Sequence, residues 1–330
     1  MNSIFGFIFG LLPVFLVILF AFLAVSKTKT KVKINENISN KYKEMAYNLI
    51  KNNEELNSQR RTHNILSFIR GVLTITFVVS FFCFMVQREL VLLIIPIAAI
   101  IVLIILGKYG KNNLIFSKII PSIIKEQFND FVYSHNEGID RSIYREARFE
   151  SYDRYHSDDL ITGKVCGFDF QMSEVHTERR HTDKDGHTYY TTIFHGAFSK
   201  VNLTKNIGCF INIVNNRIKL FSRDNYTTID NEAFEKIYDV FTDDKIKALR
   251  LLTPDVTTKM IDLYNETGIY CEVKIINDLL YIRLYTGALF NFSFSNPEKE
   301  SLMVGKSLAV IDSIFKVMEN FIKEVEEFDV

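Results

Sequence analysis

The chain has 330 residues, with 39 Lys+Arg against 39 Asp+Glu. The zero net charge hides an asymmetry: residues 1–150 carry 18 basic and 11 acidic side chains, residues 151–330 carry 21 and 28. An acidic second half argues against a nucleic-acid partner, because phosphate binding is driven by Lys and Arg. Four scattered cysteines with no CxxC argue against a disulfide framework or a zinc motif and fit reduced thiols.

Residues Ile4–Val25 form an uncharged apolar run, and Lys27, Lys29, Lys31 and Lys33 follow it. A cleaved signal would place its bases before the apolar core, so residues 1–25 are expected to be a retained transmembrane helix. The loop 26–70 holds ten Lys+Arg and is expected to be helical, broken at Asn52-Asn53. Its stripe of Ile34, Ile38, Tyr42, Met45 and Leu49 suits either a membrane surface or another part of the protein. Residues 71–107 read as a hairpin of two further spans, since neither apolar run shows a polar face and the turn is only Gln87-Arg88-Glu89. Positive-inside logic puts the loop 26–70 and everything after Lys108 in the cytoplasm. Within the spans only Thr74, Thr76, Ser80 and Cys83 are polar, which gives no support to a transport pathway.

Residues 108–150 are expected to hold an amphipathic helix, Leu114–Tyr133, bent at Pro121, and then a polar connector. Residues 151–330 read as a cytosolic α+β domain with a largely antiparallel sheet. The expected strands are Leu160–Glu174, Thr188–Phe198, Cys209–Val214, Arg217–Phe221, Ile269–Ile276, Leu279–Leu284 and Leu289–Phe294. Turn signals stand at Asp185-Gly186, Asn215-Asn216 and Asn277-Asp278. Short helices are expected at Asn231–Ile237, from a Thr242 cap to Leu251, and from Thr253-Pro254. The long C-terminal helix starts near Pro297. Its wide apolar face, built on Val304, Leu308, Ile311, Phe315, Met318, Ile322 and Val325, favours packing within the domain over a coiled coil.

The stretches Asp153–Lys164, Ser173-Glu174-Val175, Thr192–Phe198 and Phe234–Asp244 running into Ala248–Pro254 resemble the bacterial domain-of-unknown-function 3137 family. The resemblance covers roughly Lys118 to Val317. It implies a bacterial membrane protein, with a two-span hairpin before a cytosolic domain of unassigned activity.

Four of seven histidines fall at His176, His181, His187 and His195, interspersed with Glu174 and other carboxylates. Imidazoles and carboxylates on facing strands could ligate a divalent metal. No HExxH, CxxC or HxH spacing accompanies them, so the stretch reads first as a solvated hairpin, with no metal and no cofactor expected. Asp158-Asp159 and Asp243-Asp244 could serve as acid and base or hold Mg²⁺, though the second pair also suits a helix start. No nucleophile elbow or phosphate loop occurs. The sequence therefore suggests a non-enzymatic, multi-pass cell-membrane protein. Its partners would be the bilayer and a second protein, or a ligand bound by the cytosolic domain. The alternative is a membrane-anchored metal-dependent hydrolase using the histidine hairpin.

Overall fold

The computed structural model describes residues 36–87, 94–107, 114–128, 130–216, 225–290, 292 and 296–327. The expected span Ile4–Val25, the turn at Arg88-Glu89 and the expected strand Arg217–Phe221 lie outside them. The chain divides into two compact units, Met1–Lys31 with Glu54–Asn112, and Val32–Asn53 with Asn113–Val330. The second unit thus reaches back past the boundary expected at Ser151.

The first three helices are α1 (Glu36–Asn52), α2 (Glu54–Gln87) and α3 (Ile94–Gly107). The first unit pairs α2 with α3. The sequence suggests three spans, but among the described residues one helix is long and apolar enough to cross a membrane, Glu54–Phe81 within α2. No residue of its apolar window is fully buried by protein. Ile65, Phe68, Val72, Ile75 and Val79 all stand exposed. Twenty-eight residues at about 1.5 Å each exceed a hydrocarbon core of about 30 Å. Helix α3 is apolar throughout but has 14 residues, about 21 Å, which is short of that thickness. The hydroxyls of Thr74, Thr76 and Ser80 donate back to the carbonyls of Arg70, Val72 and Thr76, so these polar groups need no partner outside the helix.

The second unit is built on a nine-stranded sheet. The strands are β1 (Val132–Ser134), β2 (Arg154–Val165), β3 (Phe168–Thr182), β4 (Thr188–Asn202), β5 (Phe210–Asn215), β6 (Tyr226–Thr227), β7 (Tyr238–Thr242), β8 (Cys271–Ile276) and β9 (Leu279–Leu284). They lie in the order β1-β2-β3-β4-β9-β8-β5-β7-β6, and each neighbouring pair is antiparallel. The expected single strand Leu160–Glu174 is instead a hairpin. Cys166 and Gly167 turn with φ of +52° and +88°, the backbone of a tight hairpin turn, which the alternation of apolar residues on either side concealed. The turn at Asp185-Gly186 is present, with Gly186 at φ +84°. Thr242 ends β7 rather than capping a helix; Asp244 caps the following α7 (Lys245–Leu251) by accepting from the Lys247 N–H. Thr253 and Pro254 open α8 (Pro254–Thr267) as expected. Leu289 and Phe290 are not in a strand.

The segment Leu114–Tyr133 departs from one continuous helix. A π-helical turn, Ile115–Ile119, meets α4 (Ile120–Gln127) just before Pro121, where the proline cannot donate to the helical ladder. The chain then enters β1. The expected polar connector after it contains α5 (Arg141–Glu146), capped by Asp140.

Helix α5 and its flanks cover one face of the sheet. Ile139, Tyr144 and Ala147 pack on Val175, Phe194, Phe198 and Tyr281. Each aromatic ring buried there contributes on the order of 1.5–3 kcal/mol relative to exposure. The other face carries α9 (Pro297–Glu327). Phe315 packs against Phe170 of β3 at 5.3 Å between ring centroids, and against Phe128 and Phe131. Helix α1 lies on α9. The two backbones approach so closely that a Cβ on Gly305 would lie 2.8 Å from the Lys43 nitrogen, and Tyr42 donates to Asp312 at 3.0 Å. Only glycine allows that approach. Helix α6 (Glu232–Glu235) is a single turn capped by Asn231.

Candidate functional site

Alternation along β2, β3 and β4 puts Val175 and Phe194 under α5 and turns Glu174, His176 and His195 to the opposite face. The register then assembles a rung of three histidines. His156 of β2 lies opposite His176 of β3, which lies opposite His195 of β4. In the next rung Asp158 faces Glu174. Directly opposed like charges destabilise a sheet, so this placement costs the fold something.

The register slips between Asp158 and Ile161, and the bulge drives Asp159 into a left-handed conformation at φ +56°. That turns Asp159 inward, where its side chain is 4% exposed. Its Oδ1 accepts from the Tyr133 hydroxyl at 2.5 Å and lies 2.6 Å from His135 Nδ1. His135 itself stacks on Phe116 at 3.8 Å. Glu174 Oε1 lies 2.9 Å from His195 Nε2, and Oε2 accepts from the Leu289 N–H at 2.6 Å. His156 Nε2 lies 3.4 Å from Asp158 Oδ2. Oxygens of Asp158, Asp159 and Glu174 all fall within 4.8 Å of one another.

Burial pushes the Asp159 carboxyl up to about 6, against the pull of His135 and Tyr133. Burial and then Glu174 raise Asp158. Burial and then Asp159 raise Tyr133, whereas burial and the neighbouring His195 lower His176. Burial thus works toward the neutral form of both carboxyls and of the Tyr133 hydroxyl. His135 and His156 escape a reading that looks only for dense histidine, because their place in the site is set by pairing across strands. The Cys166-Gly167 turn is the sequence signal that would have revealed it.

The other predicted residues are placed differently. His181 and His187 stand near the hairpin tip, away from the rung. His181 stacks on Tyr189 and His187 pairs with Asp183 at 3.2 Å. Asp183, Asp185 and His187 also approach within 4.8 Å of one another, but all three are exposed. Asp183 already accepts from the backbone N–H groups of Asp185 and His187, which accounts for it as a turn residue. Asp243 accepts from the Phe210 N–H and Asp244 caps α7, so that pair is structural.

A second ionic group lies under α5. Arg283 of β9 bonds Glu272 of β8 at 2.5 Å and also Glu150. Tyr144 donates to Glu150 and Tyr285 to Glu272. Lys274 donates to the Arg148 carbonyl at 2.6 Å, and burial brings its ammonium down to about 8.

Residues 192–330 match the family model described as "Protein of unknown function (DUF3137)". This stretch carries the DUF3137 domain. The DUF3137 stretch supplies His195, Leu289 and Arg283, whereas Asp158, Asp159, Glu174 and His176 precede it. No curated protein matches the chain. Among solved structures, the chain is similar to the crystal structure of the mycobacterial trehalose monomycolate transport factor A, TtfA. The identity is 8% and the TM-score 0.32, over 62% of this chain and 96% of that one. A likeness of that degree carries no functional argument.

Proposed function

We propose that the chain is a bacterial multi-pass membrane protein that presents its α+β unit to the cytoplasm as a protein- or ligand-binding domain. The observation that supports this is α2. Its long apolar stretch is unburied by protein, and hydrocarbon is the solvent that suits it. Ten basic residues in the loop 26–70 favour an inside position for that loop. The reading takes the apolar sequence run Leu90–Gly107, longer than the helix described within it, as a second span, which returns the domain to the same side. The test is cysteine labelling of the full chain in intact cells, with the four native cysteines replaced. Gln87→Cys should react from outside. Lys184→Cys, at the exposed hairpin tip, should react only after lysis. Outside reaction at Lys184→Cys would overturn the cytoplasmic placement. The alternative of a metal-dependent hydrolase finds support in the imidazole–carboxylate cluster, not in the hairpin tip.

A further inference from the structure

We infer that the outer half of β4, Thr188–Thr192, pairs with the same strand of a second copy of this chain, antiparallel about a two-fold axis at Tyr190. The inference concerns self-association and stands whichever side of a membrane the sheet faces.

The open edge follows from the register. β3 pairs with β4 from Thr188 to Val201, but β9 meets β4 only from Ala197 to Asn202. The Gly287 N–H donates to the His195 carbonyl at 3.0 Å, and there the second neighbour ends. Among the described residues no strand covers that side of β4 from Thr188 to Thr192. The outward N–H and C=O groups of such an edge are left to water or to another strand.

Elsewhere the sheet guards its edges. Its end strands β1 and β6 have three and two residues, which gives an incoming chain little to pair with. Past the start of β2, the free side of β3 is taken by side chains: Asp153 accepts from the Arg180 N–H at 2.7 Å, and Arg179 donates to the Ser151 carbonyl at 3.0 Å. The stretch Thr188-Tyr189-Tyr190-Thr191-Thr192 carries no charge, proline or glycine, and consists of residues that favour strands. Thr188, Tyr189, Thr191 and Thr192 are exposed. The hairpin turn bounds it at one end and the bulge at Thr177/Glu178 at the other, which leaves five residues in unbroken register.

The occupant that fits this slot is the strand itself. Outward-pointing backbone groups alternate along a strand, so in a two-fold pair each residue faces one an even number of positions away. Centred on Tyr190, Thr188 faces Thr192, Tyr189 faces Thr191 and Tyr190 faces its own copy. Thr–Thr and aromatic–β-branched pairs are favourable across strands, and no like charges oppose each other. The Arg154 guanidinium lies 3.4 Å from the Tyr190 ring centroid but is matched by Glu178 of the same copy at 3.7 Å. Pairing would turn a two-stranded ribbon, marginal by itself, into four strands. It uses the open edge of both copies, so the assembly closes at a dimer. Two five-residue strands bury less than the roughly 800 Å² per partner of a standard interface, so the dimer is weak and concentration-dependent.

The test uses the full chain in detergent. Sedimentation of the parent over rising concentration should show a monomer–dimer equilibrium. Thr188→Lys/Thr192→Lys and Thr188→Glu/Thr192→Glu each place like charges opposite one another twice in the self-pair, and opposite charges twice when mixed. Each variant alone should sediment as a monomer. Differently tagged copies of the two should co-purify at least about tenfold better than either with itself. With the four native cysteines replaced, a short thiol-to-thiol crosslinker should join two copies at Tyr190→Cys and not at Val132→Cys, an exposed residue of β1. A parent that stays monomeric overturns the proposal. So does a dimer that survives both charge variants, which would be held elsewhere on the chain, or a mixture of the two variants that fails to pair.

Discussion

Replacing Arg283 by Met tests what holds the α5 face together. Arg283 sits almost wholly buried between Glu272, itself 0% exposed, and Glu150, and its guanidinium lies 4.1 Å from the Phe149 ring centroid. Met fills most of the volume but leaves two carboxylates without a cation. Breaking a buried pair by removing one partner costs about 3–5 kcal/mol. For a unit of this size that corresponds to a fall in Tm of roughly 6–20 °C. The cost should depend on pH. Burial already raises the Glu272 carboxyl above its ordinary range even with Arg283 beside it, and losing the cation raises it further. A carboxyl whose folded pKa exceeds its unfolded value stabilises most below the unfolded value, and that stability is lost as pH rises through the folded pKa. The deficit of the variant should therefore be smallest at acid pH, near the ordinary carboxyl range, and grow as pH rises. Glu272→Leu/Arg283→Met removes the worst stranded charge and should recover most of the loss. The chain has no tryptophan, so near-ultraviolet circular dichroism reports its tyrosines, and Tyr144 and Tyr285 touch this network. Thermal melts of the full chain in detergent, at several pH values, give the comparison. An equal deficit at low and high pH, or a double variant as unstable as the single one, would show that lost packing and not stranded charge sets the cost.

Two more outcomes rest on close geometry and on burial. Gly196→Ala places a Cβ 1.9 Å from the Leu284 carbonyl oxygen, a backbone atom that cannot step aside, so the same melts should show a loss of at least about 2 kcal/mol. Lys274→Met removes an ammonium that burial holds at about 8 instead of 10.5. A lysine depressed in this way contributes stability only above its unfolded pKa and loses it as pH falls through the folded value. The parent should therefore gain on the variant, by on the order of 2–3 kcal/mol, as pH rises from about 8 to 10.5. A stability difference that stays flat over that range counts against a depressed Lys274.

The local elements were legible from the sequence where the signal itself is local. The Thr253-Pro254 start, the Asp185-Gly186 and Asn277-Asp278 turns, the helix break at Asn52-Asn53 and the apolar stripe of α9 each depend on residues a few positions apart. The antiparallel sheet was also within reach, and so was the family resemblance, read over Lys118 to Val317 and matched over residues 192–330. Tertiary structure alone decided three other matters. An amphipathic α1 is equally suited to lipid and to protein; the glycine at 305, on a helix more than 250 residues away, let it dock on α9, and the face it buries is Tyr42, Ala46 and Ile50, with Leu49 of the expected stripe left exposed. The buried Arg283–Glu272–Glu150 network joins charges from β8, β9 and the stretch after α5, and nothing in their spacing announces that they meet. The histidine rung depends on the turn at Cys166-Gly167 and the bulge at Asp159. A shift of one residue in a strand sends every side chain to the opposite face, so composition could suggest histidines near carboxylates but only the register could choose His156 and His195 over His181 and His187.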